Sequence, residues 1–241
     1  MTSRADFLAR LRTQMQRASP RFAAAPMDRP VRPAEAAEVV RRQLAERWPA
    51  ALERFCVEFE RVGGTFHRVA SREAVAGVVE AIARGRCVRE VVAWGAAPLG
   101  MDLGPALARA GLSVAAASAV DEATRLRHRG EAARAGIGVT GVDFALAETG
   151  TLVLISGAGR PRSTSLLPET HVAVFDRDRL LESLEQLGIM LEALHAAGAP
   201  AMSGAVVNLI TGPSRTADIE LTLTRGVHGP KFVHAVFVEP S

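Results

Sequence analysis

Val88-Arg89-Glu90-Val91-Val92-Ala93-Trp94-Gly95-Ala96-Ala97-Pro98-Leu99-Gly100 is the stretch on which the fold turns. A short apolar run ending in Trp94 reads as a strand buried on both faces. The Gly/Pro-rich turn that follows, and the helical pattern near 102–110, make it the first half of a strand–helix–strand crossover. Outward from it the same alternation continues. Strands fit 65–70 after the Gly63-Gly64 turn, then 113–117, 137–140, 151–156, 171–175, 204–210 and 231–238. Helices fit 34–61, with Pro49 as the place for a break, then 71–84, 121–134 and 180–197. On the last of these Leu180, Leu184, Leu187, Leu191 and Leu194 form one stripe, read as a core face. Alternating strands and helices predict a three-layer α/β/α fold with a mainly parallel sheet. Ligands in such folds bind outside the carboxyl ends of the strands, and the polar motif segments described below border predicted strands as that rule requires.

Ahead of this domain, residues 3–17 predict an amphipathic helix: Ser3 and Asp6 stand at capping-box spacing, and Phe7, Leu11 and Met15 recur at i, i+4, i+8. Pro20, Pro26, Pro30 and Pro33 then favour an extended strap. Residues 1–33 thus read as a helical arm with a Pro-rich linker, and 34–241 as one α/β domain.

Composition sets the outer limits. A chain of 241 residues that is 48% hydrophobic and 23% charged buries a full core. No apolar stretch approaches a membrane-spanning length, and Met1–Arg17 carries charges where a signal peptide is apolar, so the expected location is the cytoplasm. Cys56 and Cys87 are the only cysteines, with no CxxC spacing, which supports neither a disulfide framework nor a resident iron–sulphur cluster. The 29 basic residues exceed the 26 acidic ones by only three and are dispersed. The cluster at Arg125, Arg127 and Arg129 has helical period with Glu131 close behind, a solvated helix face. With 5% aromatics and no Tyr, the sequence also lacks base-stacking platforms, and no nucleic-acid partner is expected.

Nucleotide signatures fail on their own terms. Gly95 to Gly100 has P-loop glycine spacing, but Met101-Asp102 replaces the Lys-Ser/Thr pair, and Gly157-Ala158-Gly159 is followed by Arg160-Pro161-Arg162 with no third glycine. Neither HExxH nor GxSxG occurs.

Two segments carry the polar chemistry. In Ala147-Glu148-Thr149-Gly150-Thr151, Glu148 suits a general base or nucleophile, with Thr149, Gly150 and Thr151 supplying hydroxyls and amides to an anionic group. Equally, Glu148 can cap a turn while the hydroxyls satisfy backbone groups, the better reading for the hydroxyls. Arg160 and Arg162 ahead of Ser163-Thr164-Ser165 offer a further anion cradle. Some sixty residues later comes Thr211-Gly212-Pro213-Ser214-Arg215-Thr216-Ala217-Asp218-Ile219-Glu220. There Gly212 gives a fixed turn, and Arg215 between Ser214 and Thr216 suits a planar carboxylate or a phosphate. Asp218 and Glu220 share a face if the segment is a strand and can hold an arginine in place. His228 sits in the Gly-flanked loop Gly226-Val227-His228-Gly229-Pro230. Asp218, Glu220 and His228 have metal-ligating side chains, but their spacing is nonspecific; a salt-bridge network ranks above a metal, and no metal is expected. His67, His128, His171, His195 and His234 read as satisfied surface or strand histidines.

These two segments, with Ser165-Leu166-Leu167-Pro168, Thr170-His171 and the 226–230 loop, closely resemble the lactate-utilisation protein C family of LUD-domain proteins over roughly residues 35–238. The resemblance implies a fold similar to the sugar-isomerase and CoA-transferase-like (NagB/RpiA) group. It also implies a part in oxidising L-lactate to pyruvate beside two partner proteins that bear iron–sulphur clusters, with no cofactor held by this chain. In that role Arg215 would bind the carboxylate of a small 2-hydroxy acid, with Glu148 or His228 near its hydroxyl. The alternative is a stand-alone enzyme of the same fold group, an acyl or CoA transferase using Glu148 as nucleophile or a sugar-phosphate isomerase using it as base. A purely structural interaction module is the third possibility.

Overall fold

The computed structural model describes residues 4–17, 30–117, 121–199, 206–217 and 223–240. In chain order, α1 (Arg4–Arg17) is followed by α2 (Pro33–Arg61), β1 (Thr65–Val69), α3 (Val75–Gly85), β2 (Glu90–Ala93) and α4 (Ala96–Leu99). Next come α5 (Gly104–Arg109), β3 (Ser113–Ala116), α6 (Glu122–Arg134), β4 (Ile137–Gly141), β5 (Phe144–Leu146), β6 (Thr151–Ile155) and α7 (Ser163–Leu166). The chain ends with β7 (Thr170–Asp176), a 3-10 turn, β8 (Leu180–Leu181), α8 (Leu184–Ala196), β9 (Val207–Ile210), β10 (Arg215–Ala217), β11 (Leu223–Arg225) and β12 (Phe232–Val238).

Six strands form the central sheet in the order β1-β12-β7-β4-β2-β3, and every pair in it is parallel. The run that opened the sequence is β2, fifth of the six. Val91 and Ala93 pack on one face with Leu99, Leu107 and Val139, and Val92 packs on the other with Ala132 of α6. Burial on both faces is why β2 reads as an apolar run instead of an alternating one. Helices α3 and α5 cover the first face; α2, α6 and α7 lie on the second.

A second, four-stranded sheet, β8-β5-β6-β9, was not expected. It contains the antiparallel pairs β5·β6 and β6·β9. Its alternate residues serve two cores. Ala145, Leu152 and Leu154 pack toward the central sheet, whereas Phe144, Leu146, Val153 and Ile155 pack against α8 and the first half of α2. Strand β5 has three residues, too few for a periodicity signal.

Two helical expectations change. Helix α2 runs unbroken through Pro49, which is exposed together with Ala45, so water can take the carbonyl that the proline leaves without a donor. Its inner face carries an aromatic stack: Phe55 and Phe59 lie 5.3 Å apart, Phe55 and Phe175 5.2 Å, and Phe175 and Phe237 5.5 Å. The helix expected at 180–197 begins only at Leu184, because Leu180 and Leu181 form β8 and Ser183 caps the helix by accepting from the Gln186 amide. Of the leucine stripe, Leu187 is buried but Leu184 is 56% exposed.

Candidate functional site

The two motif segments meet at the carboxyl end of α2. Gly150, with φ +61°, lies so close to the Phe59 amide that a Cβ would overlap it. Gly212, with φ +78°, would place a Cβ 2.6 Å from the Val62 carbonyl oxygen. Both positions therefore demand glycine. The Arg215 guanidinium donates through Nη2 to that same Val62 oxygen. A cation there satisfies a terminal carbonyl and meets the negative end of the helix dipole. Thr149, Thr151 and Thr211 join the segments through a hydroxyl chain, Oγ1 to Oγ1, of 2.8 Å at each step. The 226–230 loop is laced to the second segment: Ser214 N donates to Pro230 O at 2.9 Å, Gly226 N to Ser214 O at 3.0 Å, and His228 N to Ser214 Oγ at 3.4 Å.

Thr149, Gly150, Thr151, Gly212, Ser214, Arg215 and His228 are thus gathered in one region. Thr216 sits in β10, paired with Thr224 of β11, while Asp218 and Glu220 lie outside the described residues. Thr149, Arg215 and His228 are exposed. The region lies at the amino ends of β1 and β12, since α2 turns at Gly63-Gly64 directly into β1 and Pro230 leads into β12. This corrects the expectation from the carboxyl-end rule. The clamp is built on a helix end, and α2 runs into the sheet from that side.

Glu148 is turned to a different partner. Its Oε1 accepts from the Leu184 amide at the first turn of α8, where an acidic group satisfies an orphan donor and the helix dipole together. The carboxylate lines a cleft of 460 Å³ with Arg54, Glu182 and Ser183. Arg47 pairs with Glu182 at 2.7 Å at its edge.

At the carboxyl ends of β2 and β4, where the crossovers diverge, sequence reading missed Asp143. Asp143 is buried, accepts from Ile155 N at 2.6 Å and pairs with Arg160. The Arg160 guanidinium lies 4.8 Å over the Trp94 ring, and Trp94 Nε1 donates to Pro161 O at 3.3 Å. Gly95 N donates to Gly159 O at 3.2 Å. The 157–161 turn is thereby latched over the crevice, and Arg160 is held by an internal carboxylate. An Asp two residues beyond the Gly that ends an apolar strand was the available signal.

The histidines are not all satisfied. His171 Nε2 and Thr140 Oγ1 are 2.8 Å apart, and His67 Nε2 and His234 Nδ1 2.9 Å apart, yet His171 Nδ1 and His234 Nε2 are buried without a partner among the described residues. Burial pushes His171 down to about 3 and His234 to about 4, the latter helped by His67 and Arg86, so both rings are neutral. On α6, His128 is also buried, with Nε2 3.0 Å from Thr164 Oγ1 and its pKa lowered by burial against the pull of Glu131. Among the described residues, no group of three or more His, Cys, Asp or Glu is placed to hold a metal. Cys56 is half-buried, with its thiol pKa raised by burial, and Cys87 is exposed. No helix is long and apolar enough to cross a membrane among the described residues.

Comparison with known proteins adds the following. The family model of the LUD domain matches residues 52–238. Lactate utilization protein C of Halalkalibacterium halodurans is 43% identical over 109 residues, 45% of this chain and 46% of that protein. The protein of the same name from Bacillus subtilis is 40% identical over 100 residues, 42% of this chain and 41% of its own length. The match with each of these relatives thus spans less than half of its length. A crystal structure of a DUF162 family protein from Deinococcus radiodurans aligns over 82% of this chain and 98% of its own, with 19% identity and a TM-score of 0.45.

Proposed function

The chain belongs to the LUD domain family, and from that premise we propose that it works in L-lactate utilisation as the non-cluster subunit of a system that oxidises lactate to pyruvate with iron–sulphur partner proteins. The observation that carries the reading is the open clamp at the end of α2. Two polar segments sixty residues apart converge there, yet Arg215, Thr149 and His228 stay exposed. A small 2-hydroxy acid bound at such a surface is enclosed only when a second protein covers it. The relatives named lactate utilization protein C support the same assignment.

Oxidation of lactate releases two electrons and two protons. Two thiols, Cys56 and Cys87, are too few to ligate a cluster, so in this scheme the C2 hydrogen leaves with the electron pair of its bond to an acceptor on the partner protein, while the hydroxyl proton goes to a base of this chain. Arg215 is the carboxylate ligand in this scheme: a guanidinium has five N–H donors, and Val62 takes one. His228, tied through its amide to Ser214 beside Arg215, receives the hydroxyl proton, since the Leu184 amide already engages Glu148. A transferase with Glu148 as nucleophile fits less well, because the Leu184 amide already engages that carboxylate.

The test is affinity capture of the chain from cells grown on L-lactate. The captured material should contain iron and reduce a dye in a lactate-dependent manner, while the chain purified alone does neither. Arg215→Lys keeps a charge at the end of α2 but loses the planar fork, and should raise KM for lactate roughly ten-fold. An iron-free capture, or lactate oxidation by the isolated chain, would refute the proposal.

A further inference from the structure

The basic residues that lie dispersed in the sequence gather in the fold. Helices α3, α5 and α6 run antiparallel to the strands, so the loops that follow them meet at the amino ends of β2, β3 and β4. Ser113 N donates to Arg89 O at 2.8 Å and Gly136 N to Glu90 O at 3.1 Å, which ties the three loops together. On the clamp side, Arg86 stacks 3.3 Å over the Phe232 ring, with Lys231 Nζ 5.6 Å from it. Arg84, Arg86, Arg89, Arg109, Arg134 and Lys231 thus form one strip, with Glu80, Glu90 and Glu169 interspersed. Its excess of three positive charges equals the net charge of the whole chain. Arg84, Arg109 and Arg134 each meet the negative end of their own helix. That cause does not extend to Arg89 and Lys231, which stand one residue ahead of β2 and β12.

Between α3 and the α5–β3 turn, the strip holds a hollow of 660 Å³ with Ala83, Val88 and Leu112 as its apolar lining and Glu80, Arg84, Cys87 and Arg89 around it. Arg84 pairs with Glu80, whereas Arg89 has no carboxylate partner among the described residues. At its other end the strip reaches the clamp. A Cβ on Gly226 would meet Lys231 Cβ at 3.0 Å, and Gly226 N donates to Ser214 O beside Arg215. We infer that the strip is the docking face for an acidic segment of the iron–sulphur partner, which seats an apolar side chain in the hollow and pairs a carboxylate with Arg89. The inference rests on the proposed function, in which a second protein covers the clamp; a protein seated there lies against Lys231 as well. Opposite charge steers and orients such an encounter. A nucleic acid fits less well, because carboxylates interrupt the strip and Phe232 lies under Arg86 instead of offering a face to a base.

Cys87, the exposed thiol at the hollow, reports on docking. Its alkylation is followed by mass spectrometry in the isolated chain and in the iron-bearing assembly captured from lactate-grown cells. The rate should fall roughly ten-fold in the assembly, because a covered thiol is not attacked, and should recover in about 0.5 M salt. Arg89→Glu should lower the captured iron roughly ten-fold and the milder Arg89→Gln roughly three-fold, both with an unchanged melting temperature. Arg42→Glu, the same change of charge on α2, should leave the captured iron unchanged. Iron capture that survives Arg89→Glu, or Cys87 alkylated in the assembly at the rate of the isolated chain, would overturn the inference and leave the proposed function standing. Protection that nuclease removes would assign the strip to nucleic acid and overturn the inference too. An iron-free capture with the wild-type chain would remove both.

Discussion

Gly150 and Gly212 are held at positive φ with backbone directly against the position a Cβ would take, so their replacement strains the chain and opens the clamp at once. Gly150→Ala should cost about 2–4 kcal/mol, read as a lower urea midpoint with an unchanged slope. A midpoint equal to wild type would mean that the clamp is not tight there. The buried histidines act through protons. In the unfolded chain a histidine titrates near 6.5; in the fold burial holds His171 near 3 and His234 near 4. Protons therefore bind the unfolded chain first. Stability is full above about pH 6.5 and falls as pH drops from there toward 4, by up to about 1.4 kcal/mol per pH unit for each ring. Urea midpoints at pH 7.5, 6 and 5 should decline in that order, and less steeply in His234→Gln. Equal midpoints at pH 7.5 and 5 would contradict the assignment of neutral buried rings. Sequence reading placed His171 and His234 in strands but not in the core, since a histidine's burial depends on the helices packed over its sheet.

At the scale of elements, α8 depends on its first turn. Ser183 accepts from Gln186 N and Glu148 from Leu184 N, so two orphan amides of the first turn are met by side chains, and Gln186 Oε1 accepts from Glu182 N just ahead of the cap. Ser183→Ala and Glu148→Ala should each lower stability by about 1 kcal/mol, with Glu148→Gln intermediate because an acceptor remains. If Glu148→Gln instead abolishes lactate oxidation in the captured system with no change in melting temperature, the carboxylate's main role is chemical. The sequence reading held Glu148 as base, nucleophile or turn cap, and the structure shows its contact with the Leu184 amide at the start of α8. Long periodic elements such as α2, α6 and β12 were legible because helical and strand periods repeat over many residues in them. Strands β5 and β8 were hidden: three and two residues carry no period, and Leu180 continued the spacing of the helix that follows.

Across the whole molecule, the parallel sheet and its crossovers followed from apolar runs and turn residues, while the position of the site did not. That Thr151 and Thr211 touch, or that Arg215 reaches Val62, depends on how β6, β9 and α2 pack, which no local pattern encodes. The latch of Asp143 and Arg160 over the carboxyl-end crevice is likewise a tertiary product. The proposed role in a lactate-oxidising assembly rests on the open polar clamp. The most direct measurement is growth of a strain deleted for this chain on L-lactate as sole carbon source, with glucose as control. The account predicts no growth on lactate, normal growth on glucose, and rescue by wild type but not by Arg215→Ala. Undiminished growth of the deletion strain on lactate would contradict it.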